Sequence, residues 1–418
     1  MRGTIAEKIL ARASGRKEVS AGEYVTAKID LAMTHDWTFY VANILERLNI
    51  DRVWDPNRIV VVLDHYVPVN EQVAKMHKTI RNFVKKYGIK YFYEFGTGIC
   101  HQVLCEKGHV CPGELIVGTD SHTTTYGALG AASTGIGVTE MAVVFATGEL
   151  WFRVPETIQI YLEGKLSKYV MTKDLMLYLA GKYGTDFAQY KSIEFHGPAI
   201  KNLSIDSRMT MSNMAIELGA KFGIIPPDEK TINYVKKRTK KSFIPIRSDS
   251  DANYEKTIEV NLGNLEPMVA LPHDLSNSVP VSKVEDIEIN QAFLGSCTNG
   301  RLEDLKIAAE IMKGKHVHPN VRMIVIPASK EVFIKALEMG IIEILMKAGA
   351  IIYNSTCGPC YGGMLGYLAS GERCISSSNR NFKGRMGSKD SEIYLASPAT
   401  VAASAIKGKI TNPLEVIN

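Results

Sequence analysis

The run Ile59-Val60-Val61-Val62-Leu63 narrows the choice of fold more than any other stretch of this chain. A continuous apolar run of this length suits a strand buried on both faces, the kind found in parallel sheets covered by helices. Helical and strand periods alternate around it. Residues 24–31 read as a strand and residues 38–48 as a helix with Val41, Ile44, Leu45 and Leu48 along one face. Residues 70–86 read as a second helix and residues 91–95 as a short strand. This alternation predicts an α/β fold with parallel layers. In such sheets chemistry sits beyond the carboxyl ends of the strands. Four polar clusters fall at such places: His35-Asp36, Asp64-His65, His101 after Gly96-Thr97-Gly98-Ile99-Cys100, and Asp120-Ser121-His122 after Leu115-Ile116-Val117-Gly118-Thr119. A single Asp after a strand is commonly a helix N-cap, and a single His a satisfied core or surface residue. Four such clusters in the first third of the chain favour a site.

A boundary is expected near Arg153-Val154-Pro155, which gives a first domain over 1–155 and a second α/β block over 156–285. Within the second block, Asn213 and Glu217 are four residues apart and share a face if the segment is helical. They could bind a substrate or order a water, or they could lie on a solvated face. Lys236-Lys237-Arg238-Thr239-Lys240-Lys241 has no interleaved aromatic residues for base stacking, so it reads as a solvated basic loop. Residues 245–285, rich in Pro, Ser, Asn and Asp, read as a linker with a few short strands. A third block covers 286–418. It opens with a strand over 287–294, followed by Cys297 in Gly295-Ser296-Cys297-Thr298-Asn299 and a helix from Leu302.

Later in this block comes Cys357-Gly358-Pro359-Cys360, whose spacing lets two sulfurs face one centre. Such a pair can hold zinc, hold an iron–sulfur cluster or form a redox disulfide. With Cys297 the set has three thiols, where a structural zinc takes four ligands. A cubane held by three thiolates leaves one iron able to act as a Lewis acid. The plainer alternative makes Cys297 a core cysteine and the other two a zinc half-site. Beyond them, Arg380 and Arg385 in Ser378-Asn379-Arg380-Asn381-Phe382-Lys383-Gly384-Arg385 could clamp carboxylates, or could be ordinary surface arginines.

A chain of 418 residues has room for about three domains. Apolar and charged fractions of 45% and 22% are those of a soluble globular protein, and a net charge of +5 is too mild to imply nucleic acid. There is no apolar run of membrane-spanning length and no secretory h-region. Seven cysteines, an odd number in a large chain, argue against a disulfide framework, so a reducing cytoplasm is the expected setting.

From Ala32-Met33-Thr34-His35-Asp36 to Leu395-Ala396-Ser397-Pro398 the motifs resemble the aconitase superfamily, and within it the large subunits of two-chain 3-isopropylmalate dehydratases and homoaconitases. The resemblance implies three α/β/α domains around a central 4Fe–4S cluster, one per subunit, held by Cys297, Cys357 and Cys360. Cys100, Cys105, Cys111 and Cys374 match no ligand position. The implied activity is reversible dehydration of a hydroxy di- or tricarboxylic acid. Asp64 and His65 match the pair that protonates the leaving hydroxyl, and His101, Asp120 and His122 match residues that order water. Ser121 lies within that motif. Asn213 and Glu217 match an amide and an acid of the family's site, Asn379 a cluster-side contact, and Arg380 and Arg385 carboxylate binders. His35 stands where mitochondrial-type enzymes have a substrate-contacting glutamine, and Tyr126 where close relatives often have histidine. The family's swivelling fourth domain, with its serine base, matches nothing here. A small subunit is therefore expected to supply it, in a heterodimer or heterotetramer. The leaning is to 3-isopropylmalate dehydratase, with homoaconitase as the alternative. A cluster-sensing RNA-binding protein is the non-enzymatic alternative.

Overall fold

The structure is a computed structural model and describes residues 3–416. These divide into two compact units. The first takes in the described residues up to Phe95, together with Cys100–Glu163 and Ala188–Val260; the second takes in Gly96–Ile99, Gly164–Phe187 and the described residues from Asn261.

The first unit is built on a five-stranded sheet in the order Tyr91–Tyr93, Ile59–Val62, Leu31–Thr34, Leu115–Gly118, Ala132–Gly135. All four neighbouring pairs are parallel. The apolar run is buried on both faces, as its composition requires. Ile59, Val61 and Leu63 join one core with Val41, Leu45, Ile80 and Phe83 from the helices Thr38–Arg47 and Glu71–Lys86. Val60 and Val62 join the opposite core with Leu104, Tyr126 and Met209. Each such side chain is worth about 1.5–3 kcal/mol of burial. Asn70 caps the helix Glu71–Lys86 through Oδ1, which accepts from the Val73 N–H.

The strand expected over 24–31 is two elements. Tyr24–Lys28 pairs antiparallel with Glu149–Arg153, and Leu31–Thr34 begins the central strand of the sheet. Between them Asp30 turns inward to accept the Leu115 N–H, a long-range contact that local periodicity does not encode. A second, four-stranded sheet has the order Phe222–Ile224, Ser192–His196, Thr157–Glu163, Lys256–Asn261. The basic run ends the helix Glu229–Lys236 and continues as a turn, with the Arg238 guanidinium 3.6 Å from the Tyr234 ring centre.

The second unit carries a seven-stranded sheet in the order Ser278–Pro280, Met268–Ala270, Glu392–Ala396, Arg373–Ser376, Gln291–Leu294, Arg322–Val325, Ile351–Ile352. Its last five strands run parallel. The helices Leu302–Met312 and Pro398–Lys407 pack on it through Leu305, Ala308, Val401 and Ala405. The stretch read as a linker with a few short strands carries such strands, paired into the sheet. Met268–Ala270 and Ser278–Pro280 pair antiparallel, and the former joins Glu392–Ala396. Its polar residues fill the turns between these strands. Among the described residues no helix is long and apolar enough to cross a membrane.

Candidate active site and cofactor cradle

Each unit places its chemistry where the strand order reverses. In the first unit the chain lays strands outward from Leu31–Thr34 to one side, then returns to place Leu115–Gly118 on the other. Loops leaving the carboxyl ends of these two neighbours diverge and open a crevice, the usual place for ligands in open α/β sheets. His35 and Asp36 follow the first strand, Asp120 to His122 follow the second, and Asp64 and His65 follow Ile59–Val62.

These side chains form one hydrogen-bonded chain. His65 donates from Nδ1 to Asp64 Oδ1 at 2.7 Å and faces Asp120 Oδ2 with Nε2 at 3.3 Å. A ring with a carboxylate at each nitrogen is best satisfied with both nitrogens protonated. Asp120 Oδ1 accepts from His101 Nε2 at 2.8 Å and from the His122 backbone N–H at 2.8 Å, with His122 Nδ1 at 3.3 Å. His122 donates from Nε2 to Glu217 Oε1 at 2.6 Å. Burial works to raise the Asp120 carboxyl, but the hydrogen bonds from His101, His122 and His65 hold it well below the usual range. Asp64 is likewise held low against its burial by the charge and hydrogen bond of His65 and by the Cys100 N–H at 2.7 Å.

Asn213 ends the helix Ile205–Met214 and Glu217 sits in the 3-10 turn Ala215–Leu218 that follows. Both are buried, so the solvated-face reading fails. Asn213 Nδ2 donates to Thr125 Oγ1 at 2.8 Å. Ser121 opens the 3-10 segment Ser121–Leu129 and is partly buried.

His35 stacks on His65 with ring centres 3.9 Å apart. Its Nε2 lies 3.4 Å from the Thr119 carbonyl oxygen, which can only accept, so Nδ1 is the bare nitrogen, and it has no partner among the described residues. Burial, and then the charge of His65, push His35 down to about 4. Tyr126 packs against His101, with its hydroxyl 3.3 Å from Nδ1. Burial raises Tyr126 well above its usual range, so it remains a phenol that donates to His101.

Sequence reasoning named Asp36 only within a polar cluster, and missed both its supporting role and His77. Asp36 Oδ2 accepts the backbone N–H groups of Asp64 and His65 at 3.1 and 2.8 Å, and its Oδ1 accepts from His77 Nε2 at 2.8 Å. Asp36 thereby sets the turn that presents Asp64 and His65. His77 lies mid-helix, with no signal in its local sequence. Ligand-type atoms of His35, Asp36, Asp64 and His65 lie within 4.8 Å of one another. Since the Asp36 and Asp64 oxygens take N–H donors, we read the group as a proton network.

In the second unit the strand order reverses between Gln291–Leu294 and Arg373–Ser376. Cys297 follows the first on the short helix Ser296–Asn299, and Asn379 follows the second. Ser377 Oγ ties the two loops, accepting the Gly295 N–H at 3.0 Å. Cys357 and Cys360 flank the 3-10 turn closed by the Cys360 N–H on the Cys357 carbonyl at 3.2 Å. Cys297 and Cys357 share a small apolar cluster with Ile99, against which Tyr361 packs. The Asn379 side chain reaches two of the thiols: Oδ1 is 3.2 Å from Cys360 Sγ and Nδ2 is 3.5 Å from Cys297 Sγ. Two buried sulfurs at one amide, with buried Cys357 in the same cluster as Cys297, fit a thiolate-bound iron–sulfur group. Arg385 donates from Nε to the Cys360 carbonyl at 2.8 Å and lies over the Tyr361 ring, while Arg380 lies over Phe382; both arginines are partly buried.

The other four cysteines lie elsewhere. Cys100, Cys105 and Cys111 belong to an apolar core of the first unit, and Cys374 lies within a strand. Burial pushes Cys111 and Cys374 up to about 12. No disulfide joins any of the seven.

Comparison with known proteins identifies the chain as a hydro-lyase of the aconitase family. Residues 7–286 and 281–408 match the model of the aconitase family (aconitate hydratase). The chain is 55% identical to the 3-isopropylmalate dehydratase large subunit 1 of Methanopyrus kandleri, over 98% of each chain. It is 55% identical to the 3-isopropylmalate dehydratase large subunit of Aquifex aeolicus, over 99% of this chain and 98% of that one. It is 53% identical to the probable methanogen homoaconitase large subunit of Methanosarcina mazei, over 93% of this chain and all of that one. The crystal structure of Thermococcus kodakaraensis aconitase X matches with a TM-score of 0.51 over 85% of this chain and 84% of that one, at 13% identity, a likeness of fold alone. The chain belongs to the aconitase family, whose general cofactor is an iron–sulfur cluster.

Proposed function

We propose that this chain is the large subunit of a 3-isopropylmalate dehydratase, which isomerises its substrate by removing and re-adding water. The observation that carries this reading is the 55% identity, over 98% of each chain, to a relative of that name. Cys297, Cys357 and Cys360 would hold one 4Fe–4S cluster. When bound, the cluster supplies a Lewis-acid iron toward the substrate's hydroxyl. The chain's own residues do the rest of what is proposed here. His65, held between Asp64 and Asp120, gives a proton to the departing hydroxyl and takes one back on rehydration. Asp120, His101, His122 and Glu217 orient the water. Arg380 and Arg385 take carboxylates, and His35, Ser121, Asn213 and Asn379 position the substrate. The relatives are named large subunits, which supports a small-subunit partner that brings the base for the C–H proton. Division into three α/β domains near residues 155 and 285 belongs to the same reading, and the five-stranded, four-stranded and seven-stranded sheets support it, although the last draws Met268–Ala270 and Ser278–Pro280 from the middle stretch.

A second reading, the large subunit of a homoaconitase, is favoured by the relative from Methanosarcina mazei. One assay separates the two. The chain is purified without oxygen, loaded with iron and sulfide, and combined with its small-subunit partner on 2-isopropylmalate and homocitrate. Turnover of 2-isopropylmalate well above that of homocitrate is expected. The reverse order establishes the second reading, and no turnover of either by the loaded complex overturns both.

A further inference from the structure

The four-residue helix Ser296–Asn299 is too short to satisfy its own carbonyls. In a buried turn, an unmet carbonyl is costly. Here a cation meets two of them. Arg301 is 1% exposed, and its terminal nitrogens donate to the carbonyls of Thr298 and Cys297, each at 2.5 Å. The neighbouring Asp304 carboxylate accepts from the Arg301 backbone N–H at 2.9 Å and from Asn299 Nδ2 at 3.0 Å. Other loops of the cradle are held in the same way. Lys173, fully buried, donates from Nζ to the Ser377 and Ser378 carbonyls, just before Asn379, and Arg385 takes the Cys360 carbonyl.

We propose that Arg301 is a positioning residue for the cofactor cradle. Its forked grip on the Cys297 and Thr298 carbonyls fixes the turn that carries the Cys297 sulfur. The inference rests on the reading that Cys297, Cys357 and Cys360 hold an iron–sulfur cluster. One physical fact supports it: the planar guanidinium fork suits two adjacent acceptors.

The test compares wild type, Arg301→Met and Arg301→Lys. All three are loaded with iron and sulfide without oxygen, then aerated, with iron loss followed by visible absorbance and electron paramagnetic resonance. In parallel, the rate of iodoacetamide labelling of Cys297 in each cluster-free protein is measured at one fixed pH by mass spectrometry. Arg301→Met should lose iron about tenfold faster and label Cys297 about tenfold faster, because the freed turn exposes a sulfur that is buried in wild type. Arg301→Lys, which keeps the charge and loses the fork, should fall between. Circular dichroism melts of the cluster-free proteins report whether each variant folds. Wild-type iron loss together with wild-type labelling in Arg301→Met overturns the proposal. If that variant does not fold, Arg301→Lys decides by the same two readouts. A wild type that takes up no cluster overturns the cluster reading instead, and the labelling rates still decide the role of Arg301.

Discussion

Asp120 is the acceptor on which three imidazoles converge. Asn in its place keeps one acceptor oxygen and turns an N–H₂ toward rings that need acceptors. Asp120→Asn should therefore lower turnover of the loaded complex by about 10²–10⁴-fold, the usual worth of general acid–base groups, while iron content and melting stay near wild type. Turnover within threefold of wild type would remove Asp120 from the mechanism. His35 makes a different prediction, about stability. The unfolded chain protonates this ring near pH 6.5, whereas the folded chain refuses the proton until about pH 4. Stability from His35 is thus complete above about pH 6.5 and is lost as the pH falls toward about 4, by roughly 3 kcal/mol in full. In urea melts His35→Gln should gain on wild type by about 2 kcal/mol between pH 7.5 and pH 4.5. A difference between the two proteins that does not change with pH would contradict the assignment.

The elements around the cradle are held by backbone contacts as much as by side chains. Gly362 has φ +74°, and a Cβ there would lie 2.3 Å from the Arg385 carbonyl oxygen. Gly362→Ala must therefore part the cysteine turn from the arginine turn or strain both, at a cost of about 1–3 kcal/mol. Iron content after loading should fall, with far-ultraviolet circular dichroism unchanged; full iron uptake would show that the two turns need not touch. Periodicity located most elements, including the helix Glu71–Lys86 and the strand Ile59–Val62. It failed where pairing decides the matter. The break at Ile29-Asp30 follows from contacts with Gly148 and Leu115, both distant in sequence.

At the scale of the whole chain, each unit buries its own core on a largely parallel sheet, and neither main core contains the three cradle cysteines. The cluster-free chain is therefore expected to fold. Dehydration also needs a base for the C–H proton, which the proposed two-chain reading assigns to the small subunit. Titrating the small subunit into loaded large subunit should raise turnover from near zero to a plateau at a fixed ratio. Full turnover by the large chain, with contaminating partner ruled out by mass spectrometry, would refute the two-chain reading.

Composition and pattern were sufficient for the α/β class, for the doubly buried strand, and for naming candidate site residues, because those signals are local. Glycine-flanked cysteines, and acids paired with histidines after apolar runs, can be read within ten residues. What they could not reveal is which side chains stand behind the site. Asp36 and His77 meet across 41 positions, His122 and Glu217 across 95, and Lys173 and Ser378 across 205. Those pairs exist only because the fold of each unit brings segments distant in sequence together within that unit. Arg301 is near Cys297 in sequence, yet its role was equally hidden. A buried arginine and a surface arginine look alike until packing takes water away and leaves two carbonyls as its partners.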